Sequence, residues 1–184
     1  MKPKKRVYVG LSVDIIHEGH INILKTAYKY GDVIVGLLTD EAIASYKNIP
    51  YLNYARRKVI IENIKFVKKV IPQETLSYVP NLKAIKPDYV VHGDDWKKGI
   101  QKQTRKDVIK VLTEWNGKLI EPRYTKNISS TKIKNMILEI GSSPVNRVSR
   151  LKRLISSKKI IRILESHNSL TGLIIENLKI NKNF

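Results

Sequence analysis

Two runs, Arg6–Leu11 (RVYVGL) and Asp32–Leu38 (DVIVGLL), are apolar at consecutive rather than alternating positions. A strand with one face in water alternates. A strand covered on both faces does not, and such strands belong to parallel sheets with helices above and below. Between the two runs, Gly19–Tyr30 reads as a helix that stops at Gly31, a favourable residue just past a helix end. The alternation then repeats. Thr39-Asp40-Glu41 opens a short helix with early acidic residues, Tyr46–Asn53 is a polar loop, and Tyr54–Asn63 is a helix. Phe66–Ile71 is a third strand closed by Pro72, and Thr75–Ile85 a helix closed by Pro87. Asp88–His92 and Lys118–Glu121 are further strands, with helices at Lys102–Trp115 and Ser129–Ile140. The expected fold is α/β: a Rossmann-like parallel sheet with helices on both faces and a C-terminal helical appendage. Its ligand belongs at the carboxyl ends of the strands.

Composition narrows the chemistry. The 184 residues contain no cysteine, which removes disulfide frameworks and zinc ribbons and is compatible with a reducing, cytoplasmic setting. The basic, then apolar start resembles a signal peptide, but Asp14 breaks the apolar run and no small-residue cleavage site follows. No window reaches the roughly 20 apolar residues that span a bilayer, so no membrane partner is expected. The net charge of +19 favours a polyanion such as nucleotide phosphates, nucleic acid or an acidic membrane face. A lysine- and isoleucine-rich compositional bias gives the same number. A nucleic-acid-binding module is the rival of another class, but the aromatic residues are not interleaved with the basic runs as stacking platforms require.

Three clusters fall at the strands' carboxyl ends. His17 and His20 bracket Gly19 where the first strand gives way to a helix. Two residues separate them, rather than the three of a zinc protease's His-Glu-x-x-His, and no further ligands follow to complete a metal shell. No zinc site is therefore expected at this pair, and no metal is assigned to protein side chains, with Asp94 and Asp95 as a weak alternative hold on magnesium. At a helix opening, imidazoles, free N–H groups and the helix dipole together suit a phosphate, which Gly19 lets approach. Incidental surface histidines remain the plain alternative. His92-Gly93-Asp94-Asp95-Trp96 is either a polar turn or a site for a base or ribose, with one carboxylate accepting donors and Trp96 closing a wall. Ile128-Ser129-Ser130-Thr131 suits a helix N-cap and an anion nest equally. Lys47, in the polar loop, is a cation able to close on a ligand.

His-x-Gly-His, Gly-Asp-Asp-Trp and Ile-Ser-Ser-Thr, in that order across residues 6–140, resemble the cytidylyltransferase family, which includes glycerol-3-phosphate and ethanolamine-phosphate enzymes. Arg57-Lys58 and the Thr39-Asp40-Glu41 turn match as well. The resemblance implies a domain at residues 1–140 that binds CTP with Mg2+. It implies His17, His20 and Lys47 as catalytic residues, and Leu11, Ser12, Asp14, Gly19, His92–Trp96 and Ile128–Thr131 around the nucleotide. Arg57, Arg123, Tyr124 and Lys126 are left for the acceptor or its phosphate. A homodimer is likewise implied. Two departures stand out. The family's glycine three residues before Asp14 is Leu11 here, with Gly10 one place earlier. Its Arg-Thr-x-Gly is Tyr124-Thr125-Lys126-Asn127, so that Arg123 replaces the arginine one place away or nothing does.

The remainder, residues 141–184, is a basic helical tail with amphipathic segments at Arg147–Ser157 and Lys158–Ser166. Leu151–Ile155 and Glu165–Ile174 resemble the beginning of phosphoenolpyruvate mutase, whose ~250-residue barrel is not contained in these 184 residues. No mutase activity is expected of them, and they are compatible with the front part of a longer chain. Mutase fusions of phosphonate biosynthesis point the acceptor toward a small phosphonate of the 2-hydroxyethylphosphonate or 2-aminoethylphosphonate type. Glycerol 3-phosphate and phosphoethanolamine are the alternatives. In either case CMP would pass from CTP to an already ionised acceptor, releasing pyrophosphate.

Overall fold

The computed structural model describes residues 5–97, 99–123, 125, 133, 144–158, 161 and 164–177. The elements run β1 (Arg6–Leu11), α1 (Glu18–Tyr28), β2 (Asp32–Leu38), α2 (Asp40–Ala44), α3 (Tyr54–Glu62), β3 (Lys69–Gln73), α4 (Val79–Ile85) and β4 (Tyr89–Val91). Two short 3-10 turns, Asp94–Lys97 and Gly99–Gln101, lead into α5 (Lys102–Leu112), and β5 (Lys118–Ile120) follows. In the tail, α6 is Pro144–Ser157 and α7 is Ser169–Asn177. The expected helix at Ser129–Ile140 lies outside the described residues, apart from Ile133.

All strand pairs are parallel, in the order β3-β2-β1-β4-β5. Because side chains alternate along a strand, the sheet carries two cores. Val7, Val9, Leu11, Val33, Val35 and Leu37 face Leu24 and Ala27 of α1 and Ile61 of α3. Tyr8 and Val90 face Leu82 of α4 and Val108, Val111 and Leu112 of α5. The order in which strands are added reverses between β1 and β4, which opens a crevice at the carboxyl ends of these parallel central strands. The fold class agrees with that read from the sequence.

Several boundaries differ from expectation, each for a physical reason. β3 lies two to three residues later than expected and contains Pro72, which pairs with Leu37. Because β3 is an edge strand, a proline lacking N–H is tolerated there. α4 is shorter than expected and ends at Lys86 in a left-handed conformation, φ 47°, before Pro87. In the tail, the described residues of Lys158–Ser166 are not helical. The helix instead begins at Ser169, where the Asn168 side chain accepts the amide of Thr171 at 2.9 Å, as an N-cap does. Among the described residues, no helix is long and apolar enough to cross a membrane.

Candidate functional site

A cavity of about 370 Å³ opens at the crevice, lined by β1, the start of α1, the loop after α2 and the end of β4. Leu11, Ser12, His17, Gly19, His20, Lys47, His92, Gly93 and Asp95 of the predicted residues line it together. They come from segments up to 84 positions apart, brought together by the strand order.

His17 is the N-cap of α1. Its Nδ1 accepts the amide of Gly19 at 3.2 Å, while the His17 amide donates to His20 Nδ1 at 3.3 Å. This is a capping box built from two imidazoles. It corrects the expectation of free amides at this helix start: the amides of His20 and Ile21 also donate internally, to the His17 carbonyl. A neutral imidazole that accepts at Nδ1 carries its proton on Nε2, so each ring keeps an Nε2–H donor. The rings stand 3.9 Å apart. Burial, the neighbouring His17 and the Lys47 ammonium push the His20 pKa down to about 3, and burial also lowers that of His17. A Cβ at Gly19 would crowd the His17 ring, at 3.0 Å from its Cε1 and Nδ1.

Across the cavity, His92 stacks on Trp96 with centroids 3.9 Å apart and planes within 10°. The cavity-facing wall is thus His92, with Trp96 buried behind it, in place of the expected Trp96 wall. Trp96 Nε1 donates to Glu121 Oε1 at 2.7 Å, and Arg105 grips both oxygens of that carboxylate. The Arg105 guanidinium, aided by the indole donor, holds the Glu121 carboxyl down at about 2. His92 Nδ1 donates to the Gly93 carbonyl at 2.8 Å, leaving Nε2 as an acceptor.

Other predicted residues act one layer away. Asp14 is buried and its Oδ1 accepts the amides of Tyr51 and Leu52 at 2.5 and 3.2 Å, tying the loop after α2 to the β1–α1 turn. Arg57, expected near the acceptor, is 1% exposed and donates to the carbonyls of Leu52 and Ser12 and to Asp40. It is therefore a scaffold residue of the site. Lys47 Nζ donates to Ser12 Oγ at 2.8 Å. Asp94 and the exposed Arg123 are not among the lining residues. Tyr124, Lys126 and Ile128–Thr131 lie outside the described residues.

A family model described as cytidylyltransferase-like matches residues 8–136. The chain belongs to the cytidylyltransferase-like family. The glycerol-3-phosphate cytidylyltransferase of Bacillus subtilis (strain 168) is 33% identical over 141 residues, covering 72% of this chain and 97% of that one. The ethanolamine-phosphate cytidylyltransferase of Mus musculus is 31% identical over 137 residues, covering 72% of this chain and 32% of the mouse protein. The crystal structure of a lipopolysaccharide core biosynthesis protein from Thermoplasma volcanium GSS1 shares the fold. It superposes with a TM-score of 0.56 at 23% identity, covering 68% of this chain and all of that one. This cytidylyltransferase-like chain is thus an enzyme of the nucleotidyltransferase kind.

Sequence reasoning missed several lining residues of this cytidylyltransferase-like site: Gly10, Ile23, Leu38, Tyr46, Leu76, Tyr78, Val91, Gln101 and Thr125. Tyr78 is the most informative. A Cβ at Gly10 would overlap its ring, and its hydroxyl donates to the Gly10 carbonyl at 3.3 Å. The displaced glycine of the family motif is therefore the counterpart of a buried tyrosine 68 residues away. That pairing, invisible in a single segment, accounts for a glycine at position 10.

Proposed function

We propose that the protein transfers CMP from CTP to a small phosphomonoester of the glycerol 3-phosphate or phosphoethanolamine type. The observation that carries this reading is the His17–His20 pair, whose Nδ1 atoms are both engaged, leaving Nε2–H as each ring's donor, and which lines the same cavity as Lys47. Neutral imidazoles and an ammonium make a donor-rich wall for a triphosphate. An acceptor oxygen attacks the α-phosphorus in line, the bond to the β-phosphate oxygen breaks, and pyrophosphate leaves. Since a phosphomonoester's second pKa is about 6, the acceptor is already largely ionised and needs no general base. The work of the residues is to position and to stabilise charge. His17, His20 and Lys47 meet the phosphates. The His92 wall, with Gly93 and Asp95, meets the nucleoside. Magnesium is assigned to the triphosphate oxygens.

The relatives' named acceptors are phosphomonoesters, which moves the expectation away from a phosphonate. The phosphonate reading stands second, on the resemblance of residues 151–155 and 165–174 to a mutase beginning, outside the family's matched span. Pyrophosphate release with CTP and a panel of glycerol 3-phosphate, phosphoethanolamine, 2-hydroxyethylphosphonate and 2-aminoethylphosphonate separates the two. Turnover with only the phosphonates would overturn the first, and ATP outcompeting CTP would overturn both. A homodimer remains part of the proposal, to be read from the mass in solution.

A further inference from the structure

The network around Arg57 continues beyond the family's span. Arg153 lies on α6, past residue 136 where the match stops. Its Nη1 donates to the Tyr51 carbonyl, and its Nη2 stands 3.4 Å from Asp40 Oδ2. The other oxygen of Asp40 accepts Arg57 Nη2 at 2.8 Å, so one carboxylate is held between two guanidiniums. Arg57 passes the connection to Ser12, whose carbonyl takes its Nη1 at 2.7 Å, and Ser12 Oγ takes Lys47 Nζ. Tyr51 closes a second route, because its own amide is bonded to Asp14.

The plain explanation is that a basic helix found the nearest carboxylate. An exposed pair of that kind contributes little. Arg153 differs in two respects. Its side chain is only 22% exposed, and its fork reaches acceptors on two elements, α2 and the 46–53 loop. Both acceptors belong to the framework beneath Lys47. Arg153 itself does not line the cavity.

We propose that Arg153 is a positioning residue of the nucleotide site. Clasped on Asp40 and Tyr51, it holds the 46–53 loop so that Lys47 stays beside Ser12 and His20. The tail is then part of the working enzyme, though it contributes no group to the cavity through Arg153. This rests on the reading of Lys47 as a phosphate ligand.

The test uses the full chain with Arg153→Met and Arg153→Lys, each alone and in a Lys47→Met background. Amide hydrogen exchange is followed at Tyr51 and Leu52, and MgCTP binding by calorimetry. Arg153→Met should speed exchange at these two amides while leaving Val9 and Val35 of the sheet unchanged. It should weaken MgCTP binding about tenfold, and that loss should shrink below about twofold once Lys47 is gone, as coupled residues require. Arg153→Lys, which keeps the charge without the fork, should fall between. Unchanged exchange at Tyr51 and Leu52, or an equal loss of binding with and without Lys47, overturns the positioning role alone. A wild-type chain that binds no MgCTP overturns the proposed function and the role with it.

Discussion

At His17 one imidazole serves two purposes that a substitution can separate. Nδ1 caps α1 through the Gly19 amide, and the ring lines the cavity beside His20. Alanine removes both, and losing the cap alone costs ~1 kcal/mol. Asparagine is an excellent N-cap but carries no imidazole, so His17→Asn should keep the melting temperature of the wild type. Both variants should lose about 10²–10³ in turnover, the usual cost of one charge-stabilising donor. Full turnover in the His17→Asn enzyme would remove His17 from the chemistry. His20 provides a pH readout. Its folded pKa of about 3 lies below the ordinary 6.5, so it contributes stability that is complete above about pH 6.5 and is lost as pH falls toward 3. NMR of the free protein should show an imidazole that stays neutral through pH 5. MgCTP should move its titration upward, because triphosphate charge favours the protonated ring. No movement on binding would place the phosphates elsewhere.

Among the elements, the 3-10 turn after β4 depends on a residue that follows β5. Glu121 joins Trp96 to Arg105 and so fixes the platform on which His92 stacks. With a folded pKa of about 2 against an ordinary 4.5, its contribution is complete above about pH 4.5 and is lost as pH falls toward 2. Urea unfolding of Glu121→Gln should therefore show a flatter pH dependence than the wild type across that window. Parallel curves would show that the carboxylate is not coupled to folding. Nothing in the sequence near Gly93–Trp96 announces Glu121. By contrast, β1 and β2 were legible to the residue, since both are continuous apolar runs buried on two faces. β3 was misplaced because Pro72 reads as a terminator until its position at the sheet's edge is known. The Thr39, Asn53 and Asn168 caps show how far local chemistry alone sets helix starts.

For the whole molecule, the net charge is +19 and the proposed ligand is a polyanion. Long-range attraction of that kind acts on encounter and is screened by salt. Raising ionic strength from about 0.05 to 0.3 M should lower kcat/KM for CTP while leaving kcat nearly constant. A fall in kcat instead would point to disruption of the site itself. Strong salt-dependent duplex binding without nucleotide turnover would favour the nucleic-acid reading.

By itself, the sequence determined the fold class, the bounds of β1 and β2, and two of the segments, around His17–His20 and His92–Asp95, that meet at the sheet's carboxyl ends. Apolar periodicity, turn residues and capping residues are local, and they act through neighbours a few positions away. Tertiary structure alone decided which side chains face the cavity and which support it. Arg57 and Trp96 look like ligand-binding residues in the chain but are buried behind the cavity, while Tyr78, unremarked in the chain, lines it. It also decided that the His17–His20 pair caps its own helix with Nδ1 and so retains Nε2–H as the donor. Such assignments depend on packing between residues far apart in sequence, for which a single chain carries no periodic signal.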